Sequence, residues 1–146
     1  ESVSMHIRRG DYLMEENRQM FGGICTEEYY DRAIAYMGEQ VKEPRFYIFS
    51  DDPAYARKKY ASKEFTIVDI NHGKDSFWDM YLMSCCKHNI CANSTFSFWG
   101  ARLNKNADKI MVRPLKQKNC DWYVPETMKQ LWKGWTLVDE KGTLID

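Results

Sequence analysis

The chain has 146 residues, 44% of them hydrophobic, and its 21 Lys and Arg balance 21 Asp and Glu to a formal net charge of zero. That length suits one domain that buries about two thirds of its unfolded surface on a single core. The even charge leaves no basic stripe for nucleic acid, and no run of about 18 apolar residues offers a membrane span, so a ligand site must be local.

Ser2 to Ile7 alternates small polar with apolar residues and then turns abruptly charged, giving His6-Ile7-Arg8-Arg9-Gly10-Asp11-Tyr12. This suits a parallel strand that delivers its last side chains to a ligand crevice. Adjacent guanidiniums pair bidentately with phosphate, which points to a diphosphate; a structural Arg–Asp ion pair uses the same residues. Tyr12 to Cys25, with Gly22-Gly23, is expected to be a functional loop. Thr26 then caps a helix whose Tyr30, Ala33, Ile34, Met37 and Val41 share one face, and Pro44 closes the connection.

Arg45 to Ser50 is an aromatic and β-branched run, expected as a second buried strand, and Asp51-Asp52-Pro53 opens a helix reaching about Tyr60. Phe65 to Ile70 is the expected third strand. Asp75 to Cys86 follows as a helix, with Phe77, Met80, Tyr81 and Ser84 on one stripe and Met83 and Cys85 suggesting burial on more than one side. His88 to Ala92 is a fourth strand, Asn93-Ser94-Thr95 caps a helix to Leu103, and Lys109 to Val112 is a fifth strand. Residues 115–146 are expected to be irregular apart from one short late strand at Trp135 to Val138, with Trp122, Trp132 and Trp135 as core cover.

Alternating strands and helices argue for an α/β fold with a doubly wound parallel sheet, whose right-handed crossovers bring the strand C-termini to one rim. Three polar clusters then meet: Arg8-Arg9-Gly10-Asp11, Ser50-Asp51-Asp52 and Asn93-Ser94-Thr95. In the third, Ser94, Thr95 and Ser97 stand at a helix N-terminus, which suits a phosphate and equally a plain cap. Asp51 can accept the paired N–H groups of a guanine edge, while Asp52 reads as an N-cap. Neither a glycine-rich phosphate loop nor an Asp-x-Asp cradle occurs, so guanidinium and amides would hold the phosphates, a leaving-group task that suits glycosyl transfer.

Five cysteines, two of them adjacent, make a poor disulfide framework, and Cys85, Cys86, His88 and Cys91 lack zinc-like spacing. No metal or other cofactor is expected. A reducing, bacterial cytoplasmic setting fits better than a secretory one, and the sequon Asn93-Ser94-Thr95 would be obstructed in a ligand site.

The motifs His6–Tyr12, Phe46–Pro53, Asp79–Ser84 and Asn93–Ala101, in that order, resemble those of the α-1,2-fucosyltransferases of glycosyltransferase family 11. The resemblance covers roughly Val3 to Pro114. It implies a GT-B-type enzyme of two Rossmann-like halves, this chain (1–146) being the single C-terminal domain that binds GDP-fucose. With Glu1 at its start, the chain reads as a piece of something longer, lacking the N-terminal acceptor-binding half. The resemblance further implies that Arg8 holds the β-phosphate, His6 lies near the nucleotide, Asp51 meets guanine, and Thr95 and Phe96 lie at the diphosphate, with Asn93, Ser94 and Ser97 in the same motif. Arg9 is expected to face away from an inward Arg8 and to pair with Asp11. The implied reaction is inverting: the 2-hydroxyl of a terminal galactose attacks GDP-β-L-fucose without a metal, with Asp11 ranked above Glu16 as candidate base.

Two other readings accompany this one: a non-catalytic GDP-sugar-binding module, and a transferase for another GDP-sugar. Arg9-Gly10-Asp11 as an adhesion tripeptide would need an exposed loop apex, whereas here it abuts a buried strand.

Overall fold

In the computed structural model, which describes residues 1–9 and 15–145, the first strand β1 (Ser2–Ile7) leads to two helices, α1 (Glu15–Phe21) and α2 (Glu27–Gln40). The chain continues through β2 (Arg45–Ser50), α3 (Pro53–Lys59), β3 (Phe65–Val68), a 3-10 turn (Gly73–Asp75), α4 (Phe77–Cys85), β4 (His88–Ile90) and α5 (Thr95–Leu103). It closes with β5 (Met111–Pro114), α6 (Pro125–Leu131), β6 (Thr136–Val138) and β7 (Leu144–Ile145). The strands form one sheet in the order β3-β2-β1-β4-β5-β6-β7, parallel throughout except for the β6–β7 pair. This is a Rossmann-like α/β arrangement.

The alternation in β1 decides which layer meets which face. Val3 and Met5, both fully buried, join Tyr29, Ala33 and Met37 of α2, Ala56 of α3 and Phe46, Ile48, Ile90 and Val112 of the neighbouring strands in the main core. Each of the buried Val, Ile, Met and Phe side chains stabilises the fold by about 1.5 to 3 kcal/mol. The opposite face of β1 carries Ser4, which meets α4 and α5 through a buried polar chain. Asn89 Nδ2 donates to Ser4 Oγ at 2.7 Å and to the Met83 carbonyl at 2.8 Å, and Asn104 Nδ2 donates to Asn89 Oδ1 at 2.8 Å. Here α4 and α5 approach so closely that a Cβ on Gly100 would lie 3.1 Å from Met83 Cβ.

Local chemistry sets the helix ends. Thr26 Oγ1 accepts from the Tyr29 amide at 3.1 Å and starts α2, which stops where Val41 turns extended. Asp52 Oδ1 accepts from the Tyr55 amide at 3.2 Å, with Pro53 in the first turn of α3.

Four expectations need correction. The loop expected from Tyr12 to Cys25 contains α1, and residues 115–146 hold more than the expected late strand, which is β6 paired with β5: α6 precedes it and β7 returns beside it. The returning turn uses Gly142 at φ +78°, where a Cβ would also come within 2.8 Å of the Glu28 carbonyl. The apolar stripe of α4 does not face the core: Phe77 and Tyr81 are more than half exposed, and Met83 is the residue that buries. Strand bounds also shift, β3 ending at Val68 and β5 occupying Met111–Pro114. No helix among the described residues is long and apolar enough to cross a membrane.

Candidate functional site

The strand order reverses between β1 and β4, and open parallel sheets bind ligands beyond the strand C-termini at such a reversal. A cavity of about 440 Å³ lies there, lined by His6 of β1 and Arg8 just after it, Ser50 at the end of β2 and Asp51 just after it, Asn71 to Gly73 after β3, Ser76 before α4, Asp79 and Met83 of α4, and Phe96 of α5. That volume falls within the range of small-molecule sites.

Arg8 brings a cation into the cavity, whereas Arg9, one residue on, turns away. Arg9 Nε donates to Asp52 Oδ2 at 3.2 Å, its guanidinium carbon stands 3.7 Å above the centre of the Tyr55 ring, and its backbone amide donates to Asp51 Oδ1 at 2.8 Å. Among the described residues Arg9 is thus held by Asp52, which also caps α3, while its expected partner Asp11 lies outside them. Asp11 and the side chain of Glu16, the two expected candidate bases, lie outside the described residues.

His6 is buried beside Phe96, the ring centres 5.6 Å apart, and its Nδ1 pairs with Ser97 Oγ. Burial, reinforced by the nearby Arg8 charge, pushes the imidazole pKa down to about 3, so the ring is neutral.

The rest of the third cluster is placed differently. Asn93 is buried and donates to the carbonyls of Phe21 and Gln117 at 3.3 and 3.0 Å, tying the end of α1 to the segment after β5. Ser94 is the buried N-cap of α5 without a side-chain cap bond, Thr95 is exposed in the first turn, and Ser97 is buried beneath His6. Of Asn93, Ser94, Thr95, Phe96 and Ser97, only Phe96 lines the cavity.

The far wall was not anticipated as a site. Asn71 Nδ2 donates to Asp79 Oδ1 at 2.9 Å, and burial raises the Asp79 carboxyl above its ordinary range. Asp69, just behind, accepts from Arg57 Nη2 at 2.6 Å. Asp79 opens a motif visible in the sequence, but Asn71 and His72 sit in a connection after a strand, where no periodicity singles them out. The cavity thus combines the Arg8 guanidinium, the imidazoles of His6 and His72, and two carboxylates, Asp51 and Asp79. Such a site can bind a ligand that carries both an anionic group and paired N–H donors.

The cysteines are free, and Cys85, Cys86, His88 and Cys91 do not assemble. Instead, His88 Nδ1 accepts from the Ile110 amide at 3.0 Å and its Nε2 lies 2.8 Å from Glu1 Oε2.

The model of glycosyl transferase family 11 matches residues 1–138. The chain belongs to this family. It is 42% identical over 116 residues to the O-antigen biosynthesis glycosyltransferase WbnK of Escherichia coli, covering 79% of this chain and 38% of that protein. It is 44% identical over 110 residues to an alpha-1,2-colitosyltransferase of Escherichia coli, covering 73% and 37%. Similarity extends to the mouse galactoside 2-alpha-L-fucosyltransferase Sec1, at 25% identity over 123 residues, 83% of this chain and 33% of the relative. The chain therefore spans less than two fifths of the length of these family 11 relatives. No solved structure matches it.

Proposed function

We propose that this chain is the donor-binding half of an inverting α-1,2-glycosyltransferase of GT-B architecture, moving L-fucose from GDP-β-L-fucose to the 2-hydroxyl of a terminal galactose. The observation that carries this reading is Arg8 in the cavity at the β1/β4 reversal of a family 11 chain. The guanidinium pairs with the β-phosphate and strengthens its hold as negative charge builds on the departing GDP, so that binding energy is realised in the transition state. The acceptor oxygen bonds to the anomeric carbon as the bond to the phosphate oxygen breaks, and the hydroxyl proton passes to a base, for which Asp11 remains the candidate. Because Arg8 supplies the compensating charge, the proposed reaction proceeds without a metal. Asp51 and Asp79 are the two acceptors for guanine N–H groups. Acceptor recognition would reside in an N-terminal half outside this chain, and the Escherichia coli relatives favour a bacterial enzyme that builds surface glycans in the cytoplasm.

A second reading has its own support: a relative at 44% identity is named for colitosyl transfer, so the sugar transferred can differ within this similarity. The test is transfer by the complete enzyme in EDTA, offering GDP-fucose and lactose, with the product linkage read by NMR. An α-1,2-fucosylated product supports the proposal. Hydrolysis or transfer only with another GDP-sugar supports the second reading.

A further inference from the structure

We propose that Ser97 is a positioning residue: its hydroxyl donates to His6 Nδ1 and thereby fixes the imidazole as the Nε2–H tautomer, with that N–H serving the cavity as a hydrogen-bond donor. That the acceptor is an oxygen of a bound nucleotide rests on the donor-site reading above; the tautomer itself does not.

The inference comes from the bookkeeping of a buried hydroxyl. Ser97 is 2% exposed, and its Oγ already accepts from the Ala92 amide at 3.1 Å. The hydroxyl proton then needs an acceptor, and His6 Nδ1 is the one paired with it among the described residues. The reverse arrangement, Nδ1–H donating to Ser97, would strand the hydroxyl proton in a dry interior. The ring proton must therefore reside on Nε2. His6 is 7% exposed and lines the cavity, so Nε2 is the ring nitrogen left for a ligand. Phe96, tilted 50° to the imidazole, packs beside it.

Two consequences follow for the chemistry. An imidazole with Nδ1 occupied and Nε2 protonated cannot take the proton of an attacking hydroxyl, so His6 is a binding group and not the base. The ionisable groups that share the cavity with it are Arg8, Asp51, His72 and Asp79. Arg8 and burial both keep the ring neutral, so the donor persists through the physiological pH range.

The chain has three histidines, which makes the test direct: long-range ¹H–¹⁵N spectra of the labelled protein between pH 5 and 9, with GDP titrations of the same samples. The expected wild-type signature is an unprotonated Nδ1 and a protonated Nε2 on His6, unchanged across that range. Ser97→Ala should give mixed tautomers and GDP affinity about tenfold weaker, while Ser97→Thr keeps the hydroxyl and the wild-type signature. A His6 protonated on Nδ1, or titrating in that window, overturns the proposal even if Ser97→Ala does not fold. So does a folded Ser97→Ala that retains the single Nε2–H form. The expected tautomer in a wild-type chain that ignores GDP would uphold the positioning role and refute the donor site alone.

Discussion

Arg9 is held by Asp52, Nε to Oδ2 at 3.2 Å, and this contact divides the two adjacent arginines between structure and ligand. Arg9 is spent on the start of α3 and the Tyr55 ring, while Arg8 lines the cavity. Arg8→Ala should therefore weaken GDP binding by about 2 to 5 kcal/mol, the range for truncating one partner of a desolvated charge pair. Arg9→Ala should leave GDP affinity near wild type and lower stability by about 1 kcal/mol, since its partners are partly exposed. Titration calorimetry and urea unfolding of both variants distinguish the roles.

Asp79 links stability to pH. Burial raises its carboxyl pKa, so the folded chain holds that proton to higher pH than the unfolded chain. Stability is therefore lost as pH rises through the interval between the unfolded and folded values, and the penalty is complete above the folded value. Asp79→Asn should be more stable than wild type at pH 7, with the gain vanishing in acid. If Asp79 meets guanine, the same variant loses its preference for GDP over ADP. Unfolding curves at several pH values, paired with the two titrations, check both statements.

Arg113 is a buried cation whose two Nη atoms have no hydrogen-bond partner among the described residues. Its Nε donates to the Pro114 carbonyl at 3.0 Å, and its guanidinium stacks 3.9 Å from the Trp132 ring centre and 4.4 Å from that of Phe98. Desolvation pushes its pKa down to about 10, leaving it charged at neutral pH with no ion-pair partner among the described residues. A hydrophobic replacement of similar length escapes that cost, so Arg113→Met should be neutral or more stable by about 1 to 4 kcal/mol in urea unfolding.

Asn89 is the opposite case, a buried polar group with every partner in place. Asn89→Ala would remove the bonds to Ser4 Oγ and the Met83 carbonyl and leave one Nδ2–H of Asn104 unpaired, at about 2 to 4 kcal/mol. Chemical denaturation measures this, and a loss under 1 kcal/mol would mean that water enters and replaces the side chain.

Strands β1 and β2 and the start of α2 were legible because alternation, β-branched runs and a Thr cap are local signals. Helix α4 was misread for a physical reason. Its aromatic residues at helical spacing imitate a core stripe, whereas Met83 packs inward and Ser76 and Asp79 line a polar cavity. Arg9 and Asn93 show the same limit at the site: their partners, Asp52 and the carbonyls of Phe21 and Gln117, are brought near only by the fold. Sequence adjacency to Arg8 or Ser94 says nothing about such pairings. Residues 115–146 lacked a clear period because β6 and β7 are only three and two residues long.

The most direct measurement is calorimetric titration of the chain with GDP and with ADP in the presence of EDTA. A preformed donor site predicts metal-independent binding of GDP, little response to ADP, and loss of the GDP signal in Arg8→Ala. A folded chain that binds neither nucleotide, or binds both alike, would contradict it.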